Sequence, residues 1–204
     1  MESQEKIRRQ WVLFSALIEL GFFCLLRPGE IFRLKHCDVA MPSGLTLCEQ
    51  HAAIKIASPK NRRQFGESQF VLLCNRNTIG WLKTIHIPHS EQLIWDRSPR
   101  VFALLMKQVM RELGVANCKF TPASLRPGGA TMYYSRGISI STLRFMGRWS
   151  VERSLEHYIQ QAMAAQIMNA LSTKAVNRLK LLSPHCLAQS CWIIWKRPIL
   201  NCRS

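Results

Sequence analysis

Acidic side chains are scarce. There are 12 Asp and Glu against 28 Lys and Arg in 204 residues, a formal charge of +16. The last acidic residue is Glu156, so everything from His157 onward is neutral or basic. Paired cysteines are also lacking. Cys24, Cys37, Cys48, Cys74, Cys118, Cys186, Cys191 and Cys202 form no CxxC pair, and none stands at structural-zinc spacing beside a histidine pair. No metal site is expected, and the cysteines read as reduced, small buried hydrophobes. A long hydrophobic run is missing too. Trp11–Leu26 is apolar but interrupted by Ser15, Glu19 and Gly21, whereas a membrane span needs about 20 apolar residues. MESQEKIRRQ before it opens with acidic residues and leads to no small-residue cleavage site, so a signal peptide is not expected either. The chain reads as intracellular, with no membrane partner.

What is present is enough apolar material for a core. Hydrophobic residues make up 48% of the chain, which excludes a wholly disordered basic tail. The length fits one domain with at most an appendage. A folded body with this much uncompensated positive charge is expected to meet a polyanion, most commonly nucleic acid.

Periodicity predicts a mainly α fold with a small antiparallel β-sheet, an α+β class. Trp11, Phe14, Ala16, Leu17 and Leu20 repeat at helical spacing over residues 4–26, with a break near Gly21. Pro28 suits the first position of a second helix running to Lys35, with Asp38 just past it. Leu45–Leu47, Ala53–Ile56 and Phe70–Leu73 are short apolar runs bounded by turn residues and read as strands. Ser98-Pro99 opens a helix with Val101, Leu104, Leu105, Val109 and Leu113 on one face, ended by Gly114. Further helices start at Pro127, Ser139 and Ser150. The first stops near Gly137, the second ends at Gly147 with Leu143 and Met146 inward, and the third can run to Leu182. The chain divides into a domain over residues 1–182 and an irregular, basic tail over 183–204 that contains Trp192 and Trp195. No internal repeat stands out.

Three segments combine into a chemical signal. In LLRPGEIFRLKHCDV, Arg27 sits at a break between apolar helices. In TPASLRPGGATMYY, Arg126 precedes a helix-opening Pro127, and Gly128 and Gly129 would let a ligand backbone approach. In MGRWSVERSLEHYIQQAM, Trp149 lies in a turn and Tyr158 on the following helix. Each has an ordinary structural explanation: a surface arginine, a helix start, a core tyrosine. Their joint spacing is more telling, because 99 residues separate the arginines, 23 separate Arg126 from Trp149, and nine separate Trp149 from Tyr158.

That arrangement resembles the catalytic domain of the tyrosine recombinase (phage integrase) family, over roughly Phe22 to Ala165. LLRPGEIFRLKHCDV looks like the first arginine box, and ASLRPGGATMYYSRGISISTLRFMGRWSVERSLEHYIQ like the second box through to the nucleophile. The resemblance implies DNA strand cleavage and rejoining through a 3′-phosphotyrosyl intermediate on Tyr158, as a site-specific recombinase or mobile-element integrase. Arginine forks match phosphate and stay charged, so Arg27 and Arg126 would clamp one phosphodiester. A positive pocket favours phenolate and makes a tyrosine hydroxyl nucleophilic. Trp149 stands where the family carries His or Trp, to support the phosphate and the tyrosine helix.

Lys60 occupies the loop where the family places its general acid; Lys55, inside a strand pattern, competes for that role. Lys60, Arg62 and Arg63 also read as a solvated basic loop on DNA, and Arg148 as a further DNA contact. No metal and no cofactor is implied. Double-stranded DNA is the implied partner, with a homo-oligomer (a tetramer on DNA) for recombination and a nuclear location in a eukaryote.

Two features depart from the pattern. Ala123 stands three residues before Arg126, where most members carry His or Lys, and losing a general base typically slows chemistry by about 10²–10⁴. His157 is not a substitute, since neighbouring helical residues point about 100° apart. The recognisable catalytic domain also begins almost at Met1, where the family generally places a DNA-gripping domain before it, so the expectation is a fragment, a chain that relies on a partner, or one that grips DNA weakly through one face. The alternative expectation is a catalytically degenerate, DNA-binding relative. A topoisomerase-like enzyme of the same chemistry is a third.

Overall fold

A computed structural model describes residues 2–42, 51–57, 59, 63 and 66–181. The first helix, α1 (Glu2–Phe23), is 22 residues long and buries Trp11, Phe14, Leu17 and Leu20, a helical stripe of the expected period. Gly21 does not break it. The glycine lies inside the helix, where a side chain would press on Ile31 and Leu125. The following helix, α2 (Pro28–Ile31), is shorter than its pattern suggests and gives way to a 3₁₀ turn at His36–Asp38.

The sheet has three antiparallel strands in the order β1 (Val39–Ala40), β2 (Ala52–Ile56), β3 (Gln69–Leu73). Ile54 pairs with both Val39 and Val71. Side chains alternate between faces: Ala52, Ile54 and Ile56 with Val71 and Leu73 point into the core, while Phe70 and Leu72 face outward. The first strand is therefore at 39–40, and the expected run Leu45–Leu47 lies outside the described residues.

Helix α3 (Arg76–Ile85) has no counterpart among the sequence expectations. Asn75 caps it, its side-chain oxygen accepting from the Thr78 N–H. Ile79, Leu82 and Ile85 form its buried stripe. It docks on α1 partly through a polar contact, the Thr78 hydroxyl donating to buried Glu19 at 2.6 Å. Helix α4 (Pro99–Leu113) starts after Ser98 and ends at Gly114, whose φ of 77° is left-handed. Its inward face is Phe102, Met106 and Leu113, whereas Leu104 is exposed. Phe102 meets Phe14, Phe32 and Trp95 at ring-centroid distances of 4.7, 5.3 and 5.3 Å. This is the centre of the main core, and burying one such ring contributes about 1.5–3 kcal/mol.

A second, smaller cluster joins Leu25, Ala130, Leu143, Trp149 and Leu155. It is built by α5 (Leu125–Ser135), α6 (Ile140–Gly147) and α7 (Glu152–Glu156). Gly129 explains how α5 reaches α1: a Cβ there would overlap the Phe22 carbonyl. The glycine pair thus serves helix contact rather than ligand approach.

The single helix expected after Ser150 is three. Val151, not Ser150, precedes α7, and α8 (Gln161–Asn169) and α9 (Thr173–Leu181) follow separately. Ala175 of α9 packs with Leu113 and Val115. The tail lies outside the described residues. Among the described cysteines only Cys24 is buried; Cys37 and Cys74 are exposed, Cys118 is half-buried, and all four are free thiols. No described helix is long and apolar enough to cross a membrane.

Candidate active site

The site grows from the break between α1 and α2. Leu25 adopts φ +52°, a left-handed conformation that costs a bulky residue about 1–2 kcal/mol. The kink turns its carbonyl toward α5, where it accepts from Arg126 Nη1. Arg27 then enters α2 in an extended conformation ahead of Pro28. Its backbone N–H donates to Glu30 Oε2 at 2.8 Å and its Nη1 to Oε1 at 2.9 Å. Glu30, three residues on, thereby fixes both the backbone and the head group of Arg27, the carboxylate half of a capping box.

Arg126 is the centre. It is 2% exposed, held by the Leu25 carbonyl at one Nη and the Gly147 carbonyl at the other. Two of its five donor hydrogens are thus committed, and the buried Nε has no hydrogen-bond partner. The guanidinium carbon lies 4.1 Å from the centroid of the Trp149 ring and 5.9 Å from that of Tyr158, a cation over aromatic faces. The two rings meet edge to face with centroids 5.4 Å apart.

Local sequence makes this possible. Gly147 ends α6, and a Cβ there would overlap the Trp149 ring. Only a glycine leaves the indole room to fold back over the helix end. Arg148 caps that end with φ +57°, which sends its side chain inward rather than to solvent.

Arg148, expected from the sequence as an exposed DNA contact, is buried. It is 5% exposed, with Nη2 donating to Glu30 Oε2 at 2.7 Å. Glu30 joins Arg27 and Arg148, three and 118 positions away. It was not among the sequence candidates, although the Arg-Pro-Gly-Glu spacing of a capped turn was its available signal.

Charge is unbalanced here. Burial, then the neighbouring charges of Arg27 and Arg148, push the Arg126 pKa down to about 9, with Glu30 and Tyr158 opposing. Burial likewise lowers Arg148, with Glu30 opposing it first. One carboxylate faces three guanidinium groups. Burying cations without full compensation is unfavourable, so the cluster is better suited to receiving an anion than to standing empty.

Tyr158 sits just after α7, half-buried, its N–H bonded to the Leu155 carbonyl at 2.8 Å. Thus Arg27, Arg126, Trp149 and Tyr158, distant in sequence, occupy one locality. Lys60 and Arg62 lie outside the described residues, and Arg63 is exposed. Lys55 is exposed on β2 and lines a small pocket with Gly29, Glu30 and Asp38. Ala123 is exposed in the 3₁₀ turn Pro122–Ser124, and His157 is exposed too. No group of three His, Cys, Asp or Glu side chains among the described residues could hold a metal ion. No known family model matches the chain, and no curated protein is found to be similar to it.

Proposed function

We propose that the chain is a tyrosine recombinase-like enzyme that cuts and rejoins DNA strands through Tyr158. The observation behind this reading is Arg126: buried, incompletely neutralised, and lying against the rings of Trp149 and Tyr158. A planar guanidinium fork matches phosphate, and a phenol held near such a cation suits the part of nucleophile.

In the proposed step the Tyr158 oxygen attacks the phosphorus of a DNA phosphodiester in line. A bond from Oη to phosphorus forms as the bond to the 5′-oxygen breaks. The phenol proton passes to solvent water, and the departing 5′-oxygen takes one from the Lys60 ammonium, the general-acid role proposed for that residue, which solvent then reprotonates. Negative charge growing on the non-bridging oxygens is met by Arg27 and by the uncommitted donors of Arg126. Fixed donors of this kind contribute several kcal/mol in comparable charge-stabilising sites, about 2.7–4 kcal/mol for one group. The 3′-phosphotyrosyl link preserves a phosphodiester, so the reverse attack by a 5′-hydroxyl rejoins the strand without an external energy source. Duplex DNA is the proposed partner, and recombination between two duplexes calls for a tetramer.

A nicked suicide duplex tests the reading. Tyr158 should become covalently attached to the 3′-phosphate end, and Tyr158→Phe should abolish the adduct while leaving retardation of the duplex in place. Wild-type protein that shifts DNA without any adduct would remove the enzymatic reading.

One observation favours the second reading, a DNA-binding relative that no longer turns over. Ala123, three residues before Arg126, has no side-chain proton donor or acceptor where the resembled family carries His or Lys. Ala123→His separates the two: a gain in adduct assigns the defect to that position. Salt weakens DNA binding in either case through counterion release.

A further inference from the structure

Helix α7 ends at Glu156 and α8 begins at Gln161, leaving His157, Tyr158, Ile159 and Gln160 between them. Backbone groups at such a break lose their helical partners and need others. One side chain supplies two. Thr131 Oγ1 donates to the Tyr158 carbonyl at 3.1 Å and accepts from the Gln160 N–H at 3.1 Å. One turn further along α5, Ser135 Oγ accepts from Gln161 Nε2 at 3.1 Å. Positions 131 and 135 share a helix face by their spacing.

We propose that Thr131 is a positioning residue that fixes the Tyr158 backbone so that its phenol is presented to the Arg126 cluster. The inference rests on the nucleophile role proposed for Tyr158 and adds a residue that touches no reacting atom. Two bonds to the groups on either side of Ile159 restrain both the height and the rotation of the Tyr158 peptide. The Cα–Cβ direction follows, and with it the ring that meets Trp149 at 5.4 Å. Arg126 and Thr131 stand on the same helix, five residues apart. The phosphate-binding group and the nucleophile are therefore referenced to one rigid element, which is the condition for a reproducible attack distance.

The test compares wild type, Thr131→Ser and Thr131→Val on the nicked duplex, with amide exchange of Gln160 read in parallel. Valine keeps the shape and removes the hydroxyl; serine keeps the hydroxyl. Adduct formation should slow roughly tenfold or more in Thr131→Val, and serine should restore it to within about threefold. DNA retardation should be unchanged in both. Gln160 should exchange faster in the valine variant and as in wild type with serine. Where valine disrupts folding, Thr131→Ala takes its place with the same readings. A wild-type adduct formed equally fast by the valine variant overturns the inference while leaving the proposed function intact. No adduct from wild type sinks the proposed function instead, and Gln160 exchange then decides whether Thr131 anchors the segment: equal protection in wild type and valine variant overturns that as well.

Discussion

The two main hydrophobic clusters differ in what stands at their centres. The larger one, formed by α1, the sheet, α3 and α4, closes around Phe102 and its aromatic neighbours. The smaller one has five buried apolar residues and packs its tryptophan against a guanidinium. The first is organised by apolar contact, which is non-directional and tolerant of exchange. The second is organised by directed bonds to the Leu25 and Gly147 carbonyls and to Glu30. Stability resides mostly in the former, and the site belongs to the latter, so damage to each should have a different signature.

Phe102→Ala should have the largest effect on stability, about 3–5 kcal/mol as for other buried aromatic truncations, seen as a lower urea midpoint. Adduct formed per folded molecule should stay near wild type. A specific loss of adduct in the remaining folded protein would mean that the clusters are not separable. Glu30→Gln should cost about 1.5–3 kcal/mol, the usual worth of hydrogen bonds to a charged group, and should also lower adduct yield at fixed folded fraction. Unchanged yield would show that Arg27 and Arg148 keep their places without the carboxylate's charge.

Gly147→Ala sharpens the contrast further. Overpacking costs about 1–3 kcal/mol, yet pushing the indole off Arg126 should slow adduct formation by about 10², the scale of a 1 Å misplacement. Equal losses in both readouts would place Trp149 with the structural residues. The smallest effect concerns acid, and it belongs to the larger cluster's flank. His36 is 2% exposed and its Nδ1 accepts from the Ile87 N–H at 3.3 Å. Burial first, then His86 and Arg9, hold its pKa below the ordinary histidine value. The unfolded chain therefore takes up the proton first. The contribution is complete above about pH 6.5 and is lost as pH falls through the folded-state value, with a slope of at most about 1.4 kcal/mol per pH unit. Urea midpoints at several pH values should show this loss, and His36→Asn should flatten it.

Much of the fold was legible where local chemistry and packing agree. Pro99 and Gly114 delimit α4 because proline presets the first turn and glycine accepts a left-handed cap. Helix α3 leaves a weak sequence signal because Ile79, Leu82 and Ile85 are diluted by polar neighbours, and its cap, Asn75, adjoins a strand end. The division of the last helix into three carries no glycine or proline signal. It is imposed from outside, by Thr131 and Ser135 on one side and by Ser172 at the next start, whose Oγ accepts from the Ala175 N–H. For the site, the residue types were readable and their environments were not. Arg148 looked like any surface cation in a basic chain, and nothing local reveals that a left-handed φ turns it inward.

The missing side chain at Gly129 has a mechanical consequence. With the Phe22 carbonyl seated directly against it, α1 and α5 have no compressible layer between them and cannot slide independently. A partner that tilts the first helix would carry the buried guanidinium of Arg126 with it, as a rigid crank rather than a cushioned joint.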